Sequence, residues 1–332
     1  MSHFTVLVIG PDYQKQLAPY HEYECTGVDD EYVIDVDITD EVVEQFAKPQ
    51  KVIVLADGRV FDRYDEQFYT AEASDDLRRR LSEKEFRLPE GAIEQEMTAD
   101  EAREHGIGYA TMAACADEHF GASGRDGRFY RHTNPQARWD WYTMGGRWTG
   151  SLKLKPGKRG IIGSPGLMTE RAADGYADQA LKGDIDFEQM RNDVAVKARA
   201  LWKLCREITA GLSWDSWDDT RTRYAGNVQL AREEYWAQPA IELLKASDRD
   251  VFRFQIDDAL ALDEDIYVQR QRDGACVQFA FVRDSQWNER GKMGWWASVH
   301  GEVSPAQWNK MFNDMLDALP DDTLLTVVDC HI

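Results

Sequence analysis

The chain has 332 residues, of which 43% are hydrophobic, and its 39 Lys and Arg against 60 Asp and Glu give a formal net charge of −21. This length and hydrophobic content exclude an intrinsically disordered chain and allow one large domain or two ordinary ones. The excess of acid argues against direct binding to nucleic acid or to anionic membranes. It also permits a more specific interpretation, in which the acidic surface imitates the phosphate backbone of DNA and occupies a DNA-binding protein.

The cysteines are odd in number, widely scattered and without a CxxC pair, so the sequence predicts reduced thiols rather than a disulfide framework or a zinc ribbon. They are Cys25, Cys115, Cys205, Cys276 and Cys330. No apolar run approaches the length of a membrane span, and the run at 4–9 is too short for a secretion signal. We therefore expect a cytoplasmic protein with no membrane partner.

The N-terminal part, 1–65, carries strand patterns. Residues 4–9 are a β-branched run that stops at a Gly-Pro pair, and residues 31–38 alternate apolar and acidic side chains as a half-buried strand does. Asp57 and Gly58 lie between two apolar runs, which is a strong hairpin signal. These patterns predict an α+β segment with a short helical or looped stretch between its first two strands.

The middle part, 66–250, is predicted to be largely helical. Thr98 and Glu101 have the spacing of a capping box, and we expect one helix from there towards Gly121. Further along, the apolar residues of 187–208 keep a helical spacing that predicts one long amphipathic helix.

A second helical stretch, at about 219–246, contains Pro239. Proline removes a backbone donor and clashes with the preceding turn, so this stretch is expected to be kinked or divided there.

The C-terminal part, 251–332, returns to mixed structure. A Ser-Pro pair at 304–305 is a good helix start, and the run at 323–329 reads as a last strand. We expect this strand to share a sheet with 4–9, so that 251–332 and 1–65 form one domain. The predicted fold class is α+β, with a mixed sheet that takes strands from both chain ends and a largely helical middle region.

One stretch, "NPQARWDWYTMGGRW" at 134–148, stands out for its three tryptophans, two arginines and glycine pair. The wider region 134–169 holds six basic residues and a single acid, Asp140, inside a strongly acidic chain. Arginine offers a planar donor fork for phosphate or carboxylate, indoles offer faces for stacking, and glycines let backbone N–H groups approach an anion. The candidate ligand-binding residues are Asn134, Trp139, Asp140, Trp141, Tyr142, Gly145, Gly146, Arg147 and Trp148.

Two other interpretations of this stretch stay open. The tryptophans can form a small hydrophobic core under a long loop, with the arginines stacked on them, or they can form a protein-binding patch. The alternation around Asp140 predicts an extended segment with the indoles of Trp139 and Trp141 on one face. Asp140 would then lie on the other face and pair with Arg138 or orient Arg147.

Metal binding is not predicted. His21 and Cys25 have a helical ligand spacing, but Cys330 and His331 are adjacent and point to opposite faces of a strand, so the usual paired spacing of a structural zinc site is missing. These four residues are the candidate metal ligands. The glycine-rich stretches match neither a P-loop nor a dinucleotide-binding fingerprint, so the sequence assigns no cofactor.

The stretches "MSHFTVLVIG", "LAPYHEYECTG", "NPQARWDWYTMGGRW", "GWW" and "LLTVVDCHI" together resemble a family of uncharacterised proteins encoded by bacteriophages and prophages. The similarity touches both ends and the middle of the chain. The resemblance implies a phage accessory protein acting in the bacterial host cytoplasm. It carries over no activity and no catalytic residue.

Our first hypothesis is that this accessory protein binds a small anionic, nucleotide-like ligand through the aromatic, arginine and glycine residues of 134–148, as a binding protein or as a nucleotide-active enzyme. One alternative is an acidic interaction protein that inhibits a host defence factor. A further alternative is a metal-dependent hydrolase around His21. Whether the protein is an enzyme is left open by the sequence.

Overall fold

The structure is a computed structural model that describes residues 2–70, 85–166, 173–225, 227–247, 256–294 and 298–332. The chain divides into two compact units. Unit 1 consists of Met1–His21 and Ala137–Ile332, and unit 2 of Glu22–Gln136. These boundaries lie at other positions than the ends of the predicted segments at 65 and 250.

The strands are β1 (His3–Ile9), β2 (Ile34–Asp37), β3 (Gln50–Val54), β4 (Val60–Asp62), β5 (Tyr69–Thr70), β6 (Glu85–Phe86), β7 (Ile93–Met97), β8 (Ser123–Arg125), β9 (Arg128–Thr133), β10 (Trp141–Gly146), β11 (Leu152–Lys153), β12 (Ser164–Pro165), β13 (Tyr176–Ala177), β14 (Gln179–Leu181), β15 (Ala280–Arg283), β16 (Gln286–Glu289), β17 (Lys292–Met293), β18 (Val299–His300) and β19 (Leu324–His331). The α-helices are α1 (Tyr13–Leu17), α2 (Tyr23–Thr26), α3 (Thr39–Ala47), α4 (Ala99–Glu104), α5 (Met112–Phe120), α6 (Phe187–Ile208), α7 (Trp217–Arg223), α8 (Val228–Trp236), α9 (Pro239–Ser247), α10 (Ile256–Ala261), α11 (Glu264–Gly274) and α12 (Pro305–Ala318). Short 3-10 turns occupy Ala18–Tyr20, Glu66–Phe68 and Lys182–Asp184.

Unit 1 is built on a seven-stranded mixed sheet with the order β12-β10-β19-β1-β15-β16, and β14 also pairs with β19. β1 runs antiparallel to β19 and parallel to β15. The prediction that 4–9 and 323–329 share one sheet is therefore confirmed, and so is the α+β fold class. The two terminal runs are apolar and β-branched, and pairing them at the centre of the sheet buries both.

Each face of this sheet carries its own hydrophobic core. On one face Leu7 and Val327 pack with Trp308 and Phe312 of α12. The opposite face has its own buried cluster, formed by Phe4, Val6, Val8, Leu17, Tyr20, Trp139, Ala280, Val282, Val328 and Cys330. The alternation of side chains along β1 and β19 divides their residues between the two cores.

The helices α6 to α11 form a separate core in the same unit, with Tyr267, Ile241 and Leu244 among its fully buried members. The predicted long helix is confirmed as α6, which runs unbroken from Phe187 to Ile208. The expected division at Pro239 is also confirmed, because this residue opens α9, where a missing N–H is tolerated. Within the described residues, we find no helix with the length and apolar character needed to cross a membrane.

Unit 2 contains the three-stranded sheets β2-β9-β8 and β4-β3-β7. The predicted hairpin is present: β3 and β4 are antiparallel, and Gly58 in their connection has a φ of +88°. Glycine suits this connection because side chains disfavour positive φ.

The expected single helix from Thr98 to Gly121 is wrong. The capping box at Thr98 is present, but α4 ends at Glu104. Gly106 and Gly108 follow with φ values of +75° and +83°, which no right-handed helix accommodates, and the chain starts α5 afresh. Ahead of this point the region predicted to be helical contains β5, β6 and β7, and residues 71–84 lie outside the described residues.

Candidate functional site

The two chain ends and the first residues of β10 meet at one end of the unit 1 sheet. Trp141 is the register partner of His331, and His331 is the partner of His3. Ser2 and Ile332 exchange two backbone hydrogen bonds of 3.0 Å, so the next pair, His3 and His331, is of the non-hydrogen-bonded type that brings side chains closest. The three residues therefore form a row across three neighbouring strands.

Each histidine in this row is hydrogen-bonded through Nδ1 to an aspartate. Nδ1 of His331 lies 2.6 Å and 2.7 Å from the two carboxylate oxygens of Asp140. Nδ1 of His3 lies 2.9 Å from Oδ1 of Asp329, which shares the face of His331 because it stands two residues earlier in β19. We call His3, Asp329, His331 and Asp140 the His–Asp row.

The two imidazoles are in contact with each other and with an indole. Their ring centroids are 4.8 Å apart at an interplanar angle of 75°. Trp141 stacks on His331 at 5.1 Å and 16°, and it meets the edge of His3 at 5.2 Å. Trp141 itself remains 43% exposed, so the row lies directly beneath an aromatic side chain that solvent reaches.

The second nitrogen of each imidazole is available. Among the described residues, Nε2 of His3 and Nε2 of His331 have no hydrogen-bond partner. The side chain of His3 is 10% exposed and that of His331 is 5% exposed, so both rings are largely enclosed by the protein. A neutral imidazole that donates from Nδ1 to a carboxylate carries its lone pair on Nε2, where it can accept a proton or bind a metal. The row thus holds two oriented proton-transfer groups.

The glycine pair at the end of β10 brings the backbone of Arg147 against Asp329 of the row. Gly145 and Gly146 have φ values of +82° and +54°, and the turn they form places the backbone N of Arg147 2.9 Å from Oδ2 of Asp329. A Cβ added to Gly146 would lie 2.3 Å from that same oxygen. The glycine is required because the backbone passes directly against the Asp329 carboxylate.

A second buried carboxylate, Asp178, holds the loop that follows this turn. It accepts hydrogen bonds from Thr149 Oγ1 at 2.9 Å, from Gly150 N at 2.6 Å and from Gly163 N at 2.8 Å. A Cβ added to Gly145 would lie 2.5 Å from Asp178 Oδ2. The backbone of the glycine pair therefore approaches two carboxylates of the protein itself.

The expectation that Trp139 and Trp141 share a face is wrong. Trp139 is only 8% exposed, meets Tyr142 edge-on at 4.8 Å, and donates from Nε1 to the carbonyl of Leu17 at 3.0 Å. It precedes β10, where its backbone N and that of Arg138 both donate to the carbonyl of Tyr20. The period of two holds only within a regular strand, so it does not extend back to this residue.

The expected partners of Asp140 are also corrected. Its carboxylate bonds His331 rather than Arg138 or Arg147, and Arg138 lies 3.2 Å from Glu289. Tyr142 belongs to the opposite face, where burial raises the pKa of its hydroxyl.

Acidic side chains neutralise part of the basic region. Lys153 pairs with Asp193, and Lys158 with Asp184. Arg147 and Trp148 are exposed. Asn134, in unit 2, is buried and accepts a hydrogen bond from the backbone N of Gln136 at 3.0 Å. The contacts above join Asp140, Trp141, Gly146 and Arg147 of the predicted ligand-binding residues to the His–Asp row.

The four candidate metal ligands differ in burial and in the part of the chain to which they belong. His21 is buried in unit 1 with its ring 6.2 Å from that of Trp139, and Cys25 is exposed in unit 2. Cys330 is wholly buried on the face opposite His331, and burial raises the pKa of its thiol well above the ordinary value. A thiol held protonated in this way is a poor metal ligand.

Sequence reasoning missed His3, Asp329 and Asp178. The sequence did carry a signal for Asp329, which is the one acidic residue in the largely apolar stretch "LLTVVDC" of the last strand. A charged side chain that is buried in a sheet usually has a charged or hydrogen-bonding partner or belongs to a functional site. His3 gave no local signal, since its partner stands 326 positions away.

Comparison of the chain with models of protein families, with curated proteins and with solved structures finds no match.

Proposed function

We propose that the protein binds a small anionic, nucleotide-like ligand over the His–Asp row and acts on it as a nucleotide-active enzyme, in the phage accessory context that the sequence resemblance implies. The observation that carries the proposal is the half-exposed indole of Trp141 stacked on His331, beside two imidazoles whose Nδ1 atoms are held by carboxylates. This arrangement joins a stacking surface to proton-transfer groups.

The indole supplies recognition of a flat ring. Base stacking on an aromatic side chain is worth about 1–3 kcal/mol and tolerates any base. One surface of Trp141 is used on His331, while 43% of the residue is exposed and remains for a ligand.

Arg147 supplies a positive charge on a residue whose backbone is anchored to the row. Its side chain is exposed, and its backbone shares the Asp329 carboxylate with His3. A guanidinium can hold a phosphate oxygen pair through its planar fork of donors. The net charge of −21 repels a long polyanion, which favours a small ligand.

The proposal is tested by calorimetric titration of the full chain with nucleoside monophosphates, diphosphates and cyclic monophosphates. Trp141→Ala is expected to weaken binding about 5- to 150-fold, since it removes a stacking interaction of about 1–3 kcal/mol. Arg147→Lys, which keeps the charge and loses the fork, is expected to weaken it about tenfold.

Matched controls are Trp236→Ala and Arg159→Lys. Trp236 has a similar exposed fraction, 36%, but lies on α8, and Arg159 is an exposed arginine of the same basic region. Both should bind as the wild type does. Binding that is unaffected by Trp141→Ala, or no binding of any nucleotide, contradicts the proposal.

A further inference from the structure

We infer, on the basis of the proposed function, that the His–Asp row hydrolyses a nucleoside phosphodiester, with one imidazole as general base and the other as general acid. The two halves of the row have the same construction. Each Nδ1 is fixed by an aspartate, each Nε2 is without a partner among the described residues, and the two rings stand 4.8 Å apart on one face of the sheet.

A carboxylate behind Nδ1 orients the ring and stabilises the imidazolium that forms when Nε2 takes a proton. One such pair supplies a base. Two pairs side by side supply the base and the acid that cleavage of a phosphate ester needs at its attacking and leaving oxygens.

The reaction balances with water as the only co-reactant. Nε2 of the neutral imidazole removes a proton from water while the new O–P bond forms. Nε2 of the second ring, present as imidazolium, gives its proton to the leaving oxygen while the old P–O bond breaks. The products are a phosphate monoester and an alcohol, and exchange with solvent restores the two protonation states.

The charges of the site favour a diester over a monoester. Asp140 and Asp329 place two carboxylates behind the imidazoles, and these repel a dianion more than a monoanion. A phosphodiester carries a single negative charge, whereas a monoester carries nearly two at neutral pH. A small diester such as a cyclic nucleoside monophosphate also offers a base to Trp141.

Acid–base work fits the row better than metal catalysis. Catalytic zinc sites use three protein ligands. Among the described residues, neither His3 nor His331 belongs to a group of three His, Cys, Asp or Glu ligand atoms that all lie within 4.8 Å of one another.

The experiment incubates the full chain with 2′,3′-cyclic and 3′,5′-cyclic nucleoside monophosphates and follows the monoester product by phosphorus NMR or chromatography. We expect hydrolysis with a bell-shaped dependence of kcat/KM on pH. His3→Gln and His331→Gln should each lower kcat about 10²- to 10⁴-fold and leave nucleotide binding intact. Each variant should also remove a different limb of the bell-shaped pH profile. The limb that is lost identifies which histidine is the general base and which is the general acid.

Asp140→Asn tests a positioning residue. It should lower kcat less than His331→Gln, with KM nearly unchanged, and should shift the limb that belongs to His331. His300→Gln is the matched control, because His300 is an exposed histidine of the same unit and lies outside the row. This variant should retain the full wild-type rate and pH profile.

The outcomes separate the two claims. Nucleotide binding without hydrolysis of either substrate overturns this inference and leaves the proposed function standing, whereas no binding overturns both. Activity that is lost on chelation and restored by zinc overturns the acid–base assignment.

A histidine variant that fails to fold, as shown by its thermal melt, is replaced by chemical modification of the wild-type protein with diethyl pyrocarbonate. Loss of activity that a bound nucleotide prevents supports the inference, and unchanged activity after modification of both rings refutes it.

Discussion

The two faces of the unit 1 sheet differ sharply at the end where the chain termini meet. One face carries Phe4, Tyr142 and Cys330 packed beneath Trp139, and we call these four residues the apolar face. The other carries the His–Asp row. Phe4, Tyr142 and Cys330 alternate with His3, Trp141, Asp329 and His331 along the same three strands, so one backbone arrangement supports a hydrophobic core on one side and a cluster of ionisable groups on the other.

This difference shows where the protein departs from what stability alone requires. Removing Asp329 from water has a desolvation cost, and this side chain is only 1% exposed. Apolar residues of similar volume usually stabilise a buried position as well as a buried ion pair or better. Packing is therefore a sufficient explanation of the apolar face, whereas stability alone does not require the His–Asp row.

The largest expected effect on stability is at the apolar face. Trp139→Ala should lower the free energy of unfolding by about 3–5 kcal/mol, because it leaves a cavity against Tyr142 and Leu17. Chemical denaturation measures this directly. Trp139→Phe should recover most of the loss but not the hydrogen bond to the Leu17 carbonyl. A loss below about 1 kcal/mol for the alanine variant would break the comparison.

Gly146→Ala should lower the free energy of unfolding by about 2–4 kcal/mol, since it combines a left-handed backbone with a clash against Asp329. The matched control is Gly301→Ala, where φ is +63° and the added Cβ meets nothing within 4 Å. The control should lose only about 1–2 kcal/mol. Equal losses in a denaturation series would show that the contact with the Asp329 carboxylate is unimportant.

The apolar face also predicts a pH dependence. Because burial raises the pKa of the Cys330 thiol in the folded state, the unfolded chain loses this proton first, so stability should fall as the pH rises above about 9. Removing the thiol by Cys330→Ala should make this alkaline fall shallower by up to about 1.4 kcal/mol per pH unit. Cys25→Ala, which removes an exposed thiol, should leave the slope as in the wild type. Parallel wild-type and Cys330→Ala curves between pH 8 and 10.5 would contradict the expectation.

The smallest expected effect on stability is at Trp141. With 43% of this residue exposed, Trp141→Ala should lower the free energy of unfolding by about 1 kcal/mol or less, while it impairs ligand binding as proposed above. Denaturation curves of the Trp139→Ala and Trp141→Ala variants, recorded together, give the contrast between the faces. A Trp141→Ala loss as large as that of Trp139→Ala would mean that both indoles serve the core.

Local sequence patterns determined much of the fold. The apolar runs at both termini predicted the shared sheet, the spacing of 187–208 predicted α6, and Pro239 marked a division between helices. These features depend on neighbours in sequence or on burial of a strongly apolar segment, so their physical causes are visible in one dimension. The helix expected to continue to Gly121 failed because Gly106 and Gly108 adopt a left-handed backbone.

The composition of 134–148 also marked a functional candidate, and its residues Asp140, Trp141, Gly146 and Arg147 do join a cluster of unusual chemistry. Only the tertiary structure decided what they join. His3 and Asp329 are 326 positions apart, and His331 and Asp140 are 191 apart. Antiparallel pairing of β1, β19 and β10 sets these side chains in register, and the alternation of a strand then assigns each to the polar or the apolar face.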